Sequence, residues 1–353
     1  MNLKKIIQLH KFHIILFLII IAFLTIVSYF KSINNTNIIR NNLFGIPDKN
    51  LYRALLDISG KNELNVNDFA NYTDINLNSK KIYSLKGLEK LNLSNVETLH
   101  LYENNISKIG SSNFESLTNL KSIDLSLNNI RSIQNNTFFS LKNVNYINLN
   151  ANAINKIEAN AFYGTDKLKV LDLQQNNIKK FSISPMPNLE VLKLSYGNKI
   201  SDIKDISLNS FPNLKELEIG YNLIKTIDSD SLKGIQSLKR LVLSGNKINY
   251  IPNYTFQFLG NLEELYISNC NLNNIADDAF YNLNNLRILN ISDNLLKDLP
   301  YLKDYRFLYY SVSKTSYSDF RGNFLTEDIL KENLPDRFFL DDTWLKDQIS
   351  GQK

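Results

Sequence analysis

Apolar residues recur at fixed places along most of this chain, in successive stretches of 24 residues that begin at Val96, Leu120 and Val144. The first stretch reads V-x-x-L-x-L-x-x-N-x-I-x-x-I-x-x-x-x-F-x-x-L, and polar residues fill most of the places between. The leucines of L-x-L are two residues apart, so a β-strand points both to one side and the intervening residue to the other. Each stretch is therefore predicted to supply one short strand with one buried face.

An asparagine follows most of the predicted strands, where its side-chain amide can bond backbone groups left over at the bend. These asparagines are Asn104, Asn128, Asn152, Asn176, Asn222, Asn246 and Asn294, and Cys270 takes the same place in another copy. A column of phenylalanines is predicted to fill the return side: Phe114, Phe138, Phe162, Phe211, Phe256 and Phe280. The motif L-x-x-L-x-L-x-x-N-x-L at a period of roughly 20–29 residues is that of a leucine-rich repeat.

One copy cannot bury its own apolar edge, so the copies are expected to stack. The predicted fold class is an α/β solenoid, a curved leucine-rich repeat array of about ten repeats over 72–313 with a parallel β-sheet on its concave side. The open ends of a solenoid need caps. The I-P-D-K-N-L entry, in which Asp48 can cap a helix, predicts a helical N-terminal cap over 46–71. Thr326 can begin another helix, which predicts a final half-repeat and C-terminal cap over 314–353.

The first 45 residues differ from the repeats. A basic end over 1–11 precedes an apolar run over 12–30 that is broken only by a histidine, a threonine and a serine. About 20 apolar residues span a bilayer as a helix, so this run is predicted to be a signal anchor or transmembrane helix, followed by a polar tether over 31–45. The basic end then stays in the cytoplasm and the repeats lie outside the cell membrane. A cleaved signal peptide, which has a shorter apolar core, is the alternative and would give a secreted protein.

The end segments carry a more specific resemblance. The I-P-D-K-N-L entry, the opening L-N-S-K-K-I-Y-S-L-K-G-L-E over 77–89 and the late G-N-F-L-T-E-D-I-L over 322–330 resemble exported leucine-rich repeat proteins of Gram-positive bacteria, including internalin-like surface proteins. The resemblance covers about residues 46–345, although the copies here are longer than the repeat typical of that group. It implies a surface protein that acts in adhesion or recognition.

Composition and motifs give no signal for nucleic-acid binding, metal or cofactor binding, or catalysis. The formal charge is +5 and Lys, Glu and Asp are interspersed, without the basic cluster that would predict a nucleic-acid partner. No metal-ligand spacing, phosphate loop or dinucleotide motif is present, so no metal, cofactor or enzymatic activity is predicted. The single cysteine, Cys270, excludes an internal disulfide and is expected to be a buried, inert thiol. A hydrolase using His100 beside Asp124 is a rival hypothesis that His100→Ala would test.

The outward residues of the predicted strands form the candidate binding surface. The first group, here called the polar–aromatic patch, comprises His100, Tyr102, Asp124, Tyr146, Asn148 and Asp172. The second group, here called the charged patch, comprises Lys193, Glu216, Glu218, Arg240, Glu264 and Tyr266. Tyrosine is enriched at binding surfaces. Ion pairs on an exposed sheet face, such as Arg240 with Glu216 or Glu264, can equally be solvated contacts worth under about 1 kcal/mol.

The sequence thus predicts an exported, membrane-tethered protein that recognises a protein or a surface glycan through its concave face. Two alternatives remain open at this point. One is a secreted effector or viral decoy whose signal peptide has been cleaved, and the other is a structural envelope protein that has no specific partner.

Overall fold

The computed structural model describes residues 15–26, 37–305, 318–339 and 342–353. Its helices are α1 (15–26), α2 (Lys49–Ser59), α3 (Glu327–Asn333) and α4 (Asp342–Ser350). Its strands in chain order are β1 (Ile38–Ile39), β2 (Leu64–Asn65), β3 (Asp74–Asn76), β4 (Thr98–His100), β5 (Ser122–Asp124), β6 (Ser132–Ile133), β7 (Tyr146–Asn148), β8 (Lys156–Ile157), β9 (Val170–Asp172), β10 (Val191–Lys193), β11 (Glu216–Glu218), β12 (Arg240–Val242), β13 (Tyr250–Ile251), β14 (Glu264–Tyr266), β15 (Asn274–Ile275) and β16 (Ile288–Asn290).

Ten of these strands form one parallel sheet in the order β3-β4-β5-β7-β9-β10-β11-β12-β14-β16. They pair without a register shift, so that Leu171, Leu192 and Leu217 form one row across three strands. The middle residue of each strand is fully buried, as expected when the side chains of a strand alternate between faces. The predicted fold class, a parallel-sheet solenoid of leucine-rich repeats with a cap at each end, is confirmed.

The predicted asparagine ladder bonds each repeat to the one before it. Asn128 Nδ2 donates to the carbonyls of Leu101 and Leu125, at 2.9 and 3.1 Å, and its Oδ1 accepts from the Ile106 amide at 2.9 Å. Cys270 occupies its ladder place with the thiol Sγ 3.5 Å from the Leu243 carbonyl oxygen. Such buried amide bonds satisfy backbone groups that the turn leaves without a helix or sheet partner.

The ladder has two members that the sequence prediction did not include. Asn198 donates to the Leu173 carbonyl at 2.9 Å, and Asn323 donates to the Ile291 carbonyl at 3.1 Å. In the repeat of Asn198 the turn after the strand contains one extra residue, and its glycine, Gly197, has a positive φ of 80°. The extra residue is therefore absorbed in the turn and the register of the core is kept.

The phenylalanine column is confirmed as the core of the return side. The rings of Phe114 and Phe138 stack at 5.6 Å between centroids, and those of Phe138 and Phe162 stack at 5.3 Å. Phe256 and Phe280 stack in the same way at 5.9 Å. Each buried phenylalanine contributes about 1.5–3 kcal/mol from removal of its apolar surface from water.

The N-terminal cap is tied to the first repeat by one carboxylate. Asp48 Oδ1 accepts from the amides of Asn50 and Leu51, which begins helix α2 as predicted. Its Oδ2 accepts from the amides of Tyr83 and Ser84 in the first repeat, at 2.6 and 2.9 Å. The same side chain therefore holds both the helix and its position on the end of the solenoid.

The tether predicted over 31–45 needs a correction. Strand β1 lies in this segment and pairs antiparallel with β2, and Ile39 is buried in the same apolar core as the repeats. The segment is held on the cap by two kinds of contact. Its backbone pairs with Leu64 and Asn65, and the Ile39 side chain packs in the apolar core. The N-terminal cap thus begins at or before Ile38, and not at residue 46.

The C-terminal cap closes the other end of the sheet. Thr326 Oγ1 accepts from the Ile329 amide at 3.3 Å and begins α3, as predicted. From α4, Gln348 Oε1 accepts from the Phe320 amide at 2.8 Å, and the Trp344 ring packs on Phe338 at 4.8 Å. Aromatic rings therefore cover the apolar edge that the last repeat would expose to solvent.

The described part of the apolar run over 12–30 is α1, whose side chains are all exposed. Within the described ranges, none of the helices combines the length and apolar character that crossing a bilayer requires. The rest of the apolar run over 12–30 lies outside the described residues, so the membrane anchor remains a prediction.

Candidate binding face

The first and last residues of the ten sheet strands point away from the core and form one continuous surface, here called the sheet face. All of them are partly or fully exposed except Ile288. The repeat register places them in two rows that run the length of the sheet. Both patches predicted from the sequence lie on this surface, apart from Tyr102, which follows strand β4 and is 38% exposed.

His100 bonds to a different carboxylate from the one the sequence suggested. The register places His100 beside both Asp74 and Asp124. Its Nε2 lies 3.0 Å from Asp74 Oδ2. Asp124 Oδ1 instead accepts from the amide and the hydroxyl of Ser126, at 2.9 and 2.5 Å, because its own turn offers both donors. The suggested His100–Asp124 pair is therefore wrong.

Tyr146 lies between two carboxylates of neighbouring strands. Asp124, Asn148 and Asp172 form one row across three adjacent strands, and Tyr146 precedes Asn148 by two residues on the same side. Burial raises the pKa of Tyr146, and the negative charges of Asp172 and Asp124 raise it further. Burial also raises the pKa of Asp172, although its Oδ1 accepts from the Gln174 amide at 2.9 Å. The polar–aromatic patch therefore combines an aromatic ring with partly desolvated carboxylates.

The charged patch is organised around one guanidinium group. Arg240 Nη1 lies 2.5 Å from Glu264 Oε2, and its Nε lies 3.5 Å from Glu216 Oε1. The guanidinium carbon lies 4.5 Å from the centre of the Tyr266 ring, and the Tyr266 hydroxyl donates to Glu264 at 3.0 Å. Arg240 is thus held by two carboxylates and one aromatic face, which is a favourable setting for a guanidinium.

The second cation of this patch, Lys193, is shared between carboxylates. Its Nζ lies 3.7 Å from Glu218 Oε1 and 4.0 Å from Glu216 Oε1. Gln174 Nε2 reaches across the intervening strand and donates to Glu218 at 2.6 Å. Burial raises the pKa of Glu216, and the neighbouring Glu218 raises it further. The charged patch is therefore bonded within itself but keeps more negative than positive charge.

A stacked tyrosine pair borders the charged patch and was not predicted. The rings of Tyr196 and Tyr221 lie 4.6 Å apart at an angle of 14°, and their side chains are 47% and 44% exposed. Both residues have a positive φ, which is uncommon for bulky side chains. The next repeat has Gly245 at this place, and a Cβ there would lie 2.5 Å from the Tyr221 ring. The sequence signal was available, since each tyrosine lies in the turn just before a ladder asparagine.

The described residues provide no candidate metal centre, because no three His, Cys, Asp or Glu side chains among them are arranged to hold an ion. Burial raises the pKa of the Cys270 thiol to about 11, which keeps it protonated at neutral pH. What the sheet face offers is therefore a polar and aromatic contact surface.

The comparisons with known proteins agree with this architecture. The family model described as leucine rich repeat matches residues 94–154, 142–200, 187–248, 212–272 and 260–301. No curated protein shows significant sequence similarity. A chain of the TLR13–ssRNA13 complex superposes with a TM-score of 0.58 at 23% identity, over 73% of this chain and 44% of its own length.

Two further solved structures share the fold. The functional domain of InlJ from Listeria monocytogenes gives a TM-score of 0.52 at 18% identity and covers 81% of this chain and 67% of its own. A chain of the Drosophila Toll–Spätzle complex gives 0.53 at 23% identity, over 76% of this chain and 39% of its own. This chain therefore spans less than half the length of the TLR13 and Toll chains. The family match and the ten-stranded repeat sheet together establish that the chain belongs to the leucine-rich repeat proteins.

Proposed function

We propose that this protein is a recognition module that binds another protein through its sheet face. The observation that carries the proposal is the continuous outward surface of ten strands, which presents tyrosines and partly buried charged groups. Tyrosine and arginine are the side chains that most often dominate protein interfaces. The Toll chain, which shares this fold, comes from a Toll–Spätzle complex.

The charge of the sheet face favours a protein over a nucleic acid. The TLR13 chain is in complex with an RNA. The present sheet face, however, carries more carboxylates than cations, and both Lys193 and Arg240 lie within ion-pair distance of glutamates. Phosphate backbones are bound by cations that are available to them. The module is proposed to bind and not to catalyse, since no nucleophile and base are assembled on this face.

The proposed place of action is the cell surface. Lys4, Lys5 and Lys11 flank the apolar run over 12–30, an arrangement that keeps the basic end inside the membrane and exports the repeats. The resemblance to internalin-like proteins supports a role in adhesion. Protease treatment of intact cells should digest the repeats, and N-terminal sequencing should begin at Met1. A mature chain that begins near residue 30 would instead favour the secreted alternative.

Site-specific photo-crosslinking tests the binding face. A photoreactive phenylalanine analogue replaces Tyr146 or Tyr266 on the sheet face, and Tyr163 or Tyr281 on the return side as matched controls. All four changes exchange one aromatic side chain for another, and the two control tyrosines are 59% and 56% exposed. We expect discrete protein adducts, identified by mass spectrometry, from the sheet-face positions only. Equal labelling from the return side, or adducts with glycan alone, would contradict a protein-binding sheet face.

A further inference from the structure

The two patches contain the same kinds of group, but only the charged patch contains a Lys or Arg. In the charged patch the guanidinium of Arg240 lies against the Tyr266 ring and within 3.5 Å of carboxylates of Glu216 and Glu264. In the polar–aromatic patch Tyr146 lies with two carboxylates, Asp124 and Asp172, on the neighbouring strands. Lys193 is the neighbour of Asp172 on the next strand, but its Nζ lies 3.7 Å from Glu218 and 4.0 Å from Glu216. Within the described ranges, no Lys or Arg lies at ion-pair distance from either Asp124 or Asp172.

The charge of the whole sheet face differs in sign from that of the chain. The chain has 40 Lys and Arg against 35 Asp and Glu, a formal charge of +5. The strand-end positions carry six carboxylates and two cations, which gives 2 − 6 = −4 with histidine neutral. The carboxylates are those of Asp74, Asp124, Asp172, Glu216, Glu218 and Glu264. The negative charge is therefore concentrated on the surface that is most suited to a partner.

We propose that Asp124, Tyr146 and Asp172 form a subsite for an arginine or lysine side chain of the protein partner. The inference rests on the proposed function and specifies the chemistry of the partner at this place, a cationic protein segment. Arginine fits best, because its planar guanidinium can stack on an aromatic ring while it donates to carboxylates on both sides.

The dimensions of the patch suit such a side chain. Asp124 and Asp172 lie in one row and are separated by a single strand, so their Cα atoms are about 10 Å apart at a strand spacing of about 4.8 Å. Each carboxylate accepts from the amide two residues further on, that of Ser126 or Gln174, at 2.9 Å. These bonds fix both side chains before a ligand arrives, which reduces the entropic cost of binding.

The first test uses a fluorescein-labelled hexaarginine peptide and the full chain in a polarisation titration. We expect Asp124→Asn with Asp172→Asn to weaken binding at least about tenfold, which corresponds to about 1.4 kcal/mol. The matched control is Asp166→Asn with Asp277→Asn, which removes the same two charges from exposed sites away from the sheet face. An equal loss in the control pair would show that only net charge matters and would overturn the subsite.

A second variant tests whether a guanidinium group can fill the subsite as that of Arg240 fills the charged patch. Asn148 lies between Asp124 and Asp172 in the same row, so Asn148→Arg places a guanidinium of the chain itself in the subsite. We expect this variant to fold with a lower unfolding temperature, because the Asn150 amide loses Asn148 Oδ1 as its acceptor at 3.0 Å, and to lose hexaarginine binding at least about tenfold. A folded Asn148→Arg chain that binds the peptide as the parent does would overturn the proposal.

Two further probes separate this inference from the function on which it rests. Labelled hexaglutamate and single-stranded RNA should bind at least about tenfold more weakly than hexaarginine, and tighter RNA binding would overturn a cationic partner. The partner identified by crosslinking at Tyr266 is then titrated against the Asp124→Asn, Asp172→Asn chain. Unchanged affinity would reject the subsite and leave the recognition function standing, whereas an absence of sheet-face crosslinks in the parent chain would reject the function itself.

Discussion

Replacing two adjacent ladder asparagines by alanine should destabilise the chain by more than the sum of the single changes. Asn176 is 3% exposed, and its Oδ1 accepts from the Ile154 amide at 2.9 Å. Its Nδ2 donates to the Leu149 carbonyl at 3.0 Å, and Asn152 Nδ2 donates to the same carbonyl at 3.1 Å. Each single change therefore leaves one buried amide without a partner, whereas the carbonyl of Leu149 keeps one donor.

An unsatisfied buried backbone group costs about 1–3 kcal/mol, so we expect each single variant to lose about 2 kcal/mol. The double variant Asn152→Ala, Asn176→Ala also leaves the Leu149 carbonyl without either side-chain donor, which should add a coupling of about 1–2 kcal/mol. Urea unfolding, monitored by circular dichroism, measures the stability of the parent chain, the two single variants and the double variant, which together form a double-mutant cycle.

Two controls accompany this cycle. Asn155→Ala makes the same chemical change at an exposed site and should alter stability by no more than about 0.5 kcal/mol. The pair Asn104→Ala, Asn222→Ala shares no carbonyl and should be additive within about 0.5 kcal/mol. A coupling below that value for Asn152 and Asn176 would refute the shared-carbonyl argument.

Three other changes follow from the same structure. Cys270→Asn replaces weak thiol contacts by amide bonds and should raise stability by about 1 kcal/mol in the same urea assay, and a loss would contradict it. Asp48→Ala should cost about 2 kcal/mol and speed hydrogen exchange in α2, with the C-terminal cap unaffected. Because the folded-state pKa of Asp172 is raised, stability falls as pH rises through that pKa; Asp172→Asn should be more stable at pH 7 but not below about pH 4.

The fold could be predicted from the sequence because its signals are local and repeated. The L-x-L spacing fixes which side chains are buried. The asparagine three residues after the second leucine of L-x-L fixes where each turn lies. Asn198 was missed because the extra residue of its turn moves it by one place. Strand β1 was missed because its partner, β2, lies some 25 residues away and a two-residue strand has no periodicity.

The candidate site was predictable in its position but not in its bonding. Strand alternation places all the patch residues of the sheet strands on one surface. Strand alternation does not decide between Asp74 and Asp124 as the partner of His100. The two aspartates lie on the strands on either side of His100, at the same strand spacing. In the structure His100 Nε2 lies 3.0 Å from Asp74 Oδ2, whereas Asp124 Oδ1 accepts from the amide and hydroxyl of Ser126. Strand periodicity carries no information on such side-chain bonds, so the bonding of the patch could not be predicted from the sequence.

Two carboxylates of the sheet face, those of Asp172 and Glu216, are less stable as ions in the fold than in water. Burial raises the pKa of both Asp172 and Glu216, and the charge of Glu218 opposes the ionisation of each, so their charged forms are less stable in the fold than in water. An asparagine in place of Asp172 would keep the hydrogen bond to the Gln174 amide without that cost. Side chains that reduce folding stability are characteristic of surfaces shaped for binding. A bound cation removes the electrostatic penalty, so the same desolvation that weakens the free fold strengthens its attraction for a positively charged partner.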